Sequence, residues 1–485
     1  MNKHFFKNGY YNVAGGIIRV GLSVLTIPLL IRLIGVGEYG LWTLVSSVIT
    51  IVTLAEAGLA TSTTVFVSQD LGKEDADELS QTLTVTVGAM LGLATFAAIA
   101  LFFGAESIVN LFTKLDNIQH LAAVNALKIG GLVVWARLLQ QVLVGVEQAY
   151  QHYDIISFLN TLQYALIAAG MLFVAWKGGR TVALMQWQFV VSIVVLLSHI
   201  WAVKSLLKNV SLRLILNKYK VLAVGRYSGM VWLSSLGGAL FARADRLIVG
   251  SLLGTQILGI YSVMTDITTQ INSLSALAVQ PLVPRLSNLS AKQNINQHEL
   301  QSQVKQAFQI NSFIALVIGA GLFTFADEIL HSFITGILSK QYIVPFCIII
   351  FIYSIYSING VGYYVLLSLN AADKCMYIQI ISSVLSLLLI AVGSTKFGLA
   401  GAALGNSGYL LVGLLTVVSM RQLHIPFKEW IKWLQIPLLW FILAIVMNTI
   451  LPIQLPVRIS MLILQTLILS VWFIAGQKTK FTSIV

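Results

Sequence analysis

The sequence predicts an all-α, polytopic membrane protein of about fourteen transmembrane helices. Two parallel six-helix bundles are expected around a central cavity, followed by two additional C-terminal helices. Three observations favour this fold class: the composition, the number of apolar segments and an internal repeat. Of the 485 residues, 57% are hydrophobic and only 10% are charged, whereas about a quarter of the residues in a soluble domain are charged. With a mean hydropathy of +0.86, most of the chain is expected to lie within a lipid bilayer.

Apolar segments long enough to cross a bilayer recur along the whole chain when it is scanned with a window of about 19 residues. Short connections separate them and leave little room for a domain outside the membrane. No small-residue cleavage site follows the first segment, so we expect it to remain as an anchor. The predicted spans are 13–34, 39–66, 81–104, 121–146, 156–176, 181–203, 222–253, 257–284, 306–328, 343–368, 377–395, 399–420, 431–451 and 458–475.

Lysine and arginine are distributed unevenly over the connections between these spans. With both termini in the cytoplasm, the cytoplasmic segments contain seventeen of the 30 basic residues and the outer segments about seven. Positive residues concentrate in the cytoplasmic loops of membrane proteins, so this orientation is favoured. Much of the net charge of +12 then follows from topology and does not indicate a nucleic-acid partner.

An internal repeat relates the two halves of the chain. The sequence LIRLIGVGEYGLW near the end of the first span matches LIVGSLLGTQILGIY near the end of the seventh at an offset of 219 residues. A second match, between Leu166–Gly170 and Leu389–Gly393, has an offset of 223 residues. Offsets this similar favour a duplicated unit of about six helices, and an even number gives both copies the same orientation. The pairs at offset 219 are Gly35 and Gly254, Gly40 and Gly259, and Trp42 and Tyr261.

The repeat sets the expected domain boundaries. Residues 1–203 are predicted to form the first six-helix bundle, 204–221 a cytoplasmic linker, 222–420 the second six-helix bundle and 421–485 two additional transmembrane helices. In repeat-built membrane proteins the ligand site lies at the interface between the repeats. The central cavity is therefore the expected site.

Three ionisable residues, Arg243, Asp245 and Arg246, lie together in the seventh predicted span. Counting 1.5 Å per residue back from Gly254 places Asp245 roughly 13 Å into a hydrocarbon core about 30 Å thick. At about 3 kcal/mol each, three charges facing lipid would cost about 9 kcal/mol. We therefore expect them to face a hydrated space lined by protein, where charges usually mark a transport path.

Two arginines of the first bundle, Arg19 and Arg137, are predicted to lie in its cytoplasmic third. A guanidinium group stays ionised and offers paired donors that suit phosphoryl oxygens. Arg19, Arg137, Arg243 and Arg246 are therefore candidates for binding an anionic substrate.

Other roles for these arginines remain open. Arg19 could extend its charge to the inner membrane surface, and Arg243 or Arg246 could pair with Asp245. Arg137 could instead join a hydrogen-bonded network between helices, because polar residues follow it on the next turns, namely Gln140, Gln141 and Glu147.

Three acidic residues are candidates for ion coupling or gating. Asp245 and Asp266 fall at similar depth on consecutive predicted helices, and either could bind a proton or a sodium ion. Asp245 is better explained as the structural partner of a neighbouring arginine. Asp266 has no cation within one turn of its own helix and is the better coupling candidate. Glu56, near the inner end of the second span, is expected to act as a gate or interface group.

Several classes of chemistry are disfavoured by what the sequence contains. No phosphate-binding loop of the form GxxxxGK[ST] occurs, which argues against direct ATP hydrolysis. Seven histidines are scattered without metal-ligand spacing, and the two cysteines lie towards opposite ends of one predicted span. We therefore expect no cofactor, no metal and no catalysis. The acidic run Asp70–Glu78 is interpreted as a solvated cytoplasmic loop that precedes the third span.

Three stretches carry a resemblance to a known superfamily: Asn12–Trp42, Leu54–Gln69 and Ala244–Val263. The chain resembles the MOP exporter superfamily over nearly its whole length, and these stretches look most like the branch that flips O-antigen and other polysaccharide repeat units. The acidic residue usual in the second span of this family corresponds here to Glu56, which is longer than the aspartate.

The resemblance implies a flippase that moves a polyprenyl-pyrophosphate-linked oligosaccharide from the cytoplasmic to the outer leaflet of a bacterial inner membrane. The partners it implies are the lipid-linked oligosaccharide and membrane lipid, and they could include polysaccharide polymerase and chain-length assembly proteins. Alternative functions are a flippase for the lipid-linked peptidoglycan precursor and a cation-coupled multidrug extruder. A membrane polysaccharide polymerase is less favoured, because the outer loops are short.

Overall fold

The computed structural model describes residues 21–22, 25–53, 57–73, 75–207, 213–239, 241–279, 297–333, 338–369, 371–450 and 455–481. Helices dominate these residues. In chain order they are α1 Leu25–Ile34, α2 Val36–Thr53, α3 Ala57–Lys73, α4 Ala76–Val109, α5 Asn117–Ala149, α6 Tyr153–Trp176, α7 Thr181–Leu206, α8 Lys218–Ala239, α9 Phe241–Val279, α10 Gln297–Thr324, α11 Ala326–Phe333, α12 Leu338–Ile358, α13 Gly360–Ser368, α14 Ala372–Gly405, a 3₁₀ helix Asn406–Val412, α15 Gly413–Gln422, α16 Phe427–Ile450 and α17 Leu455–Phe481.

Within the described residues, ten helical segments are long and apolar enough to cross a membrane, and two shorter apolar helices accompany them. The prediction of an all-α, polytopic membrane protein is confirmed. The number fourteen remains a prediction. Two of the long segments contain a sharp turn, at Gly254 and at Gly398, which makes each of them a pair of helical arms.

Glycines with positive φ mark the turns between helices at repeat-related positions. Gly35 has φ 85° and Gly254 has φ 82°, and they are the pair matched in sequence at offset 219. Gly178 has φ 85° and Gly398 has φ 58°, and they differ by 398 − 178 = 220 positions. Residues that carry a Cβ rarely adopt this backbone conformation. The second pair was not found from sequence, and its offset supports the duplication.

A reciprocal contact between α2 and α9 also follows the repeat. A Cβ added at Gly40 would overlap the carbonyl oxygen of Thr255, and a Cβ added at Gly259 would overlap the carbonyl oxygen of Val36. Val36 and Thr255 differ by 255 − 36 = 219 positions, as Gly40 and Gly259 do. Gly40 of the first copy thus contacts Thr255 of the second, and their repeat counterparts, Gly259 and Val36, contact each other in the same way. Such a reciprocal pair of contacts is expected at a two-fold axis. We call this the glycine crossing.

The described chain separates into two compact units, Met1–Val263 and Met264–Val485. The division lies inside α9 rather than at the predicted linker 204–221, because α8 and the first arm of α9 pack on helices of the first copy. Gly58 of α3 meets the backbone of Ser228 in α8, and Gly250 of α9 meets Leu44 of α2. The bundle boundaries derived from the repeat stay a prediction.

In the second unit, the second-last helix α16 packs against α10 through aromatic side chains. Phe308 lies at a ring-centroid distance of 6.3 Å from Trp430 and 6.2 Å from Trp433, both edge-on. Phe441 stacks on Phe351 of α12 at 6.1 Å. Since buried aromatic rings contribute large apolar areas to packing, α16 is an integral part of this unit although it lies outside the sequence repeat.

Candidate functional site

Five of the seven predicted site residues fall in the described part of the chain. Arg19 and Glu56 lie outside the described residues, so their predicted roles stay predictions. Arg137, Arg243, Asp245 and Arg246 belong to the unit Met1–Val263, and Asp266 to the unit Met264–Val485.

The seventh predicted span contains a buried acidic group between two arginines. The expectation that these three charges face a hydrated space stays a prediction. Asp245 is 3% exposed and Arg246 is 6% exposed, while Arg243 is partly buried. Asp245 interacts electrostatically with both arginines. It also accepts a hydrogen bond of 3.0 Å from the Tyr261 hydroxyl, and Tyr261 is itself fully buried. The arrangement is a closely packed polar cluster, which we call the Asp245 cluster.

The turn at Gly254 explains how Tyr261 reaches Asp245. The two residues are sixteen positions apart, and a continuous helix of that length would separate them by about 24 Å. Because Gly254 has φ 82° and ψ 174°, the chain reverses there and the second arm returns along the first. Trp42 occupies the position that matches Tyr261 in the first copy, and Thr26 occupies the position that matches Asp245. The first copy therefore has no carboxylate at this site.

Polar residues connect α5 and α7 at three levels of the first unit. Arg137 Nη2 donates to Gln188 Oε1 at 3.4 Å, Gln140 Nε2 donates to the Ser192 carbonyl at 2.6 Å, and Glu147 Oε1 lies 2.9 Å from His199 Nδ1. The paired residues are 51, 52 and 52 positions apart. A nearly constant separation means that the two helices run parallel and side by side. We call this set of pairs the α5–α7 polar ladder.

The ladder bears on the two interpretations of Arg137. Its hydrogen bond to Gln188 joins two helices, as the interhelical alternative expected. At 3.4 Å this contact is long for a hydrogen bond, so it does not saturate a guanidinium group that carries five N–H donors. The ligand role of Arg137 stays a prediction beside this interhelical contact.

The pair Glu147 and His199 is a candidate that sequence reasoning missed. Glu147 was recognised only as a polar neighbour of Arg137, and His199 only as one of several scattered histidines. The detectable signal was spacing: residues 137, 140 and 147 recur at helical intervals of three and seven, and so share a helix face. The partner face on α7 could not be recognised, because pairing two helices requires knowledge of their register.

Asp266 lies in the second arm of α9 and is partly buried. Its backbone carbonyl accepts hydrogen bonds from the side chains of Thr269 at 2.9 Å and Gln270 at 3.1 Å. These bonds are local to one helix turn. They leave the coupling role of its carboxylate a prediction.

The acidic run Asp70–Glu78 is not simply a solvated loop, contrary to expectation. Asp70 is 1% exposed, and it binds Lys220 of α8 through both carboxylate oxygens, at 3.0 and 3.1 Å. Thr82 also donates a hydrogen bond to Asp70. Glu78 binds Lys220 at 3.2 Å and Lys73 at 3.3 Å. The sequence could not reveal this, since Lys220 is 150 positions away from Asp70.

Replacing Lys220 with methionine should destabilise the protein by about 3 kcal/mol, because it leaves the buried Asp70 carboxylate without its cation. Heat or denaturant unfolding of the detergent-solubilised protein measures this change. Lys218→Met, on the exposed side of the same helix turn, is the matched control and should change stability by less than about 0.5 kcal/mol. Equal stability of both variants would show that the ion pair contributes nothing. Asp70→Asn should recover part of the loss in the Lys220→Met background.

Comparison with known proteins places this arrangement in a family. A family model for "Polysaccharide biosynthesis protein" matches residues 5–290. The chain is 20% identical over 295 residues to the "Putative O-antigen transporter" of Shigella flexneri, a match that covers 60% of this chain and 69% of that protein.

Solved structures share the fold. The lipid II flippase MurJ in an inward closed conformation matches with a TM-score of 0.77 and 15% identity, over 97% of this chain and 99% of that chain. An inward-facing multidrug resistance MATE family transporter of the MOP superfamily matches with a TM-score of 0.71 and 14% identity, over 84% and 98% of the two chains. The chain thus shares the helical architecture of these two transporters. Since the family model covers more than half of the chain, the protein belongs to the polysaccharide biosynthesis protein family.

Proposed function

We propose that the protein translocates a polyprenyl-pyrophosphate-linked oligosaccharide, an O-antigen or other surface polysaccharide repeat unit, from the cytoplasmic to the outer leaflet of a bacterial inner membrane. Family membership and the shared transporter fold support transport of a polysaccharide precursor. The observation that carries the choice of substrate is the presence of buried arginines in membrane-spanning helices, with Arg246 only 6% exposed. An anionic headgroup offers such guanidinium groups a partner.

The chemistry assigns the arginines to the phosphate groups of the headgroup. A guanidinium group binds two phosphoryl oxygens at once and keeps its charge under all cellular conditions. We infer that Arg19 and Arg137 meet the headgroup first, from the cytoplasmic side, and that Arg243 and Arg246 receive it near the membrane centre. In this scheme Asp245 holds the two arginines in place, Asp266 binds the coupling ion and Glu56 acts as a gate.

Translocation also requires that the path opens to one side of the membrane at a time. We propose that the glycine crossing of α2 and α9 is the closed gate at the outer side. In support, the backbones at Gly40 and Gly259 approach so closely that no side chain fits between them.

Both termini are placed in the cytoplasm by this proposal, in agreement with the lysine and arginine distribution. Polysaccharide polymerase and chain-length assembly proteins are the proposed partners on the outer side.

Complementation of a strain that lacks its O-antigen flippase tests the proposed function. The wild-type protein should restore surface polysaccharide. Arg246→Ala should lower it at least tenfold at an unchanged protein level in the membrane, because the headgroup loses a charged partner whose contribution exceeds about 1.4 kcal/mol. Arg226→Ala is the control, since Arg226 is exposed on α8, and it should restore near-normal amounts.

The outcome also separates the alternatives. Accumulation of untranslocated lipid-linked units in the strain with Arg246→Ala would exclude a polymerase. Rescue of a strain that lacks its lipid II flippase, without rescue of the O-antigen strain, would select the peptidoglycan precursor instead. Normal surface polysaccharide with Arg137→Ala, Arg243→Ala and Arg246→Ala alike would disprove phosphate binding by these arginines.

A further inference from the structure

The carboxylate and imidazole at the end of the α5–α7 polar ladder are enclosed by protein. Glu147 is 0% exposed and His199 is 1% exposed, with Oε1 and Nδ1 2.9 Å apart. A cluster of buried apolar side chains lies at the same level of the bundle and includes Val146, next to Glu147, and Val203, one turn beyond His199. An ionisable pair in such surroundings is unusual, because an isolated charge is strongly disfavoured in an apolar interior.

One oxygen of this carboxylate lacks a hydrogen-bond partner among the described residues. Glu147 Oε2 is buried and has no hydrogen-bond partner in the part of the chain that the structure describes. An unpaired buried acceptor is costly, so such atoms call for an explanation. A proton on Glu147 would convert this acceptor into a hydroxyl group. With one shared proton, as carboxylate and imidazolium or as carboxylic acid and imidazole, the pair is neutral.

Among the described residues at this end of the neighbouring helices, the other acidic and basic groups are engaged elsewhere or exposed. Asp70 on α3 and Glu78 on α4 bind Lys220. Asp154 on α6 lies 3.7 Å from His152, Lys204 on α7 is exposed, and Tyr150 directly after α5 is partly buried. The described contacts of Glu147 and His199 are thus dominated by each other. Among the described residues no further charged group contacts the pair, so gain or loss of a proton changes its net charge.

We propose that Glu147 and His199 form a proton-binding site that couples proton movement to transport, in addition to the ion site proposed at Asp266. The pair lies at the end of α5 and α7 that the charge distribution predicts to be cytoplasmic. Loading takes one proton from water and adds one positive charge to the pair, and release returns the proton to water. The coupling role rests on the proposed function, whereas the proton-binding role does not.

The ladder offers the link from this site to the substrate. Arg137 lies on the same face of α5 as Glu147, ten residues or about 15 Å away. Charges at this distance still interact in a protein interior, where screening is weak. Proton loading at Glu147 and His199 therefore disfavours a free cationic Arg137 and favours Arg137 bound to an anion. In this way a proton taken up on the cytoplasmic side promotes headgroup binding on that side.

Infrared difference spectroscopy of the full-length protein tests the proton site directly. The protein is reconstituted in vesicles of phosphatidylethanolamine and phosphatidylglycerol, without substrate, and the carbonyl band of buried protonated carboxylic acid is followed with pH. Wild type should show a band that titrates, and Glu147→Gln should lose it. His199→Gln should change the pH dependence of the band, because the carboxylate loses its imidazole partner. Glu106→Gln, at an exposed glutamate of α4, is the control and should leave the band unchanged.

An unchanged band in Glu147→Gln would overturn the proposal. If Glu147→Gln fails to insert into the membrane, the His199→Gln variant decides: a band with the same pH dependence as in wild type would also overturn the proposal. Surface polysaccharide in the complementation assay measures the coupling, and Glu147→Gln should lower it at least fivefold at normal protein level. A titrating band together with failure of the wild-type protein to restore polysaccharide would reject the proposed function and leave the proton site standing. Rescue by the wild-type protein without a titrating band would reject the proton site and leave the proposed function standing.

Discussion

Leucine in place of Gly40 should abolish restoration of surface polysaccharide, lowering it at least tenfold, while the protein still inserts into the membrane. A Cβ at this position overlaps the Thr255 carbonyl oxygen and would lie 2.9 Å from the Gly259 amide nitrogen. Both are backbone atoms, which no rotamer change can move. The helices α2 and α9 must therefore separate, and such overpacking costs about 1–3 kcal/mol or more. If the glycine crossing is the closed gate, the variant favours the open arrangement and can no longer complete a cycle.

A matched control lies on the same helix. A Cβ at Gly37 meets nothing within 4 Å, so Gly37→Leu should support near-normal polysaccharide levels. Hydrogen exchange followed by mass spectrometry reports the gate itself, and peptides containing residues 36–44 and 255–261 should exchange faster in Gly40→Leu than in Gly37→Leu. Equal exchange and equal function in the two variants would show that the crossing never opens or closes during transport.

The symmetry of the crossing gives a second control. Gly259→Leu pushes against the Val36 carbonyl oxygen and should reproduce the phenotype of Gly40→Leu. Because both variants disrupt one contact, their combined effect on exchange should be less than additive. Additive effects would indicate two separate sites of action.

The glycines also show which part of the fold the sequence could predict. Gly35, Gly40, Gly254 and Gly259 were matched because a turn with positive φ and a backbone crossing each require glycine, so the requirement is visible in the sequence. Gly178 and Gly398 meet the same requirement at a similar offset. They were missed because the residues around them differ in the two copies. A repeat is thus detectable where backbone geometry restricts several neighbouring residues, and is hidden where it restricts only one.

The site was predictable to the extent that one helix determines it. From the depth of Asp245 and Arg246 in an apolar segment we expected that their charges avoid lipid and face a hydrated space. Both side chains are buried in protein, and the hydrated space stays a prediction. Contacts between distant helices were not predictable. The partners of Asp70 and Glu147 lie 150 and 52 positions away, and one sequence contains no information about which helix faces which. Tyr261 was matched to Trp42 as part of the repeat, but its hydrogen bond to Asp245 depends on the reversal at Gly254.

Replacing Asp245 with alanine should destabilise the protein by about 3–5 kcal/mol, since it removes the carboxylate of a buried cluster and leaves Arg246 in a protein interior without it. Asp245 is 3% exposed and interacts with both neighbouring arginines, so solvent cannot replace the lost charge. Tyr261→Phe removes only the 3.0 Å hydrogen bond and should cost about 1–3 kcal/mol. Denaturant unfolding of the purified protein measures both changes. Asp154→Asn, at an exposed carboxylate, is the control and should change stability by less than about 1 kcal/mol.

The same variants decide between the two roles considered for Asp245. If Asp245 is the structural partner of the arginines, Asp245→Ala should lower both the stability of the protein and its transport. Asp245→Asn should then be intermediate in both, because it retains an acceptor for Tyr261 but not the charge. If Asp245 is a coupling group, the Asp245→Asn protein should lose transport while its free energy of unfolding stays within about 1 kcal/mol of wild type. The buried hydrogen bond to Tyr261 favours the first result. A carboxylate that bound and released a coupling ion in each cycle would have to break and remake that bond between the two arms of α9. A stable, transport-deficient Asp245→Asn would therefore contradict the structural role and place ion coupling at Asp245.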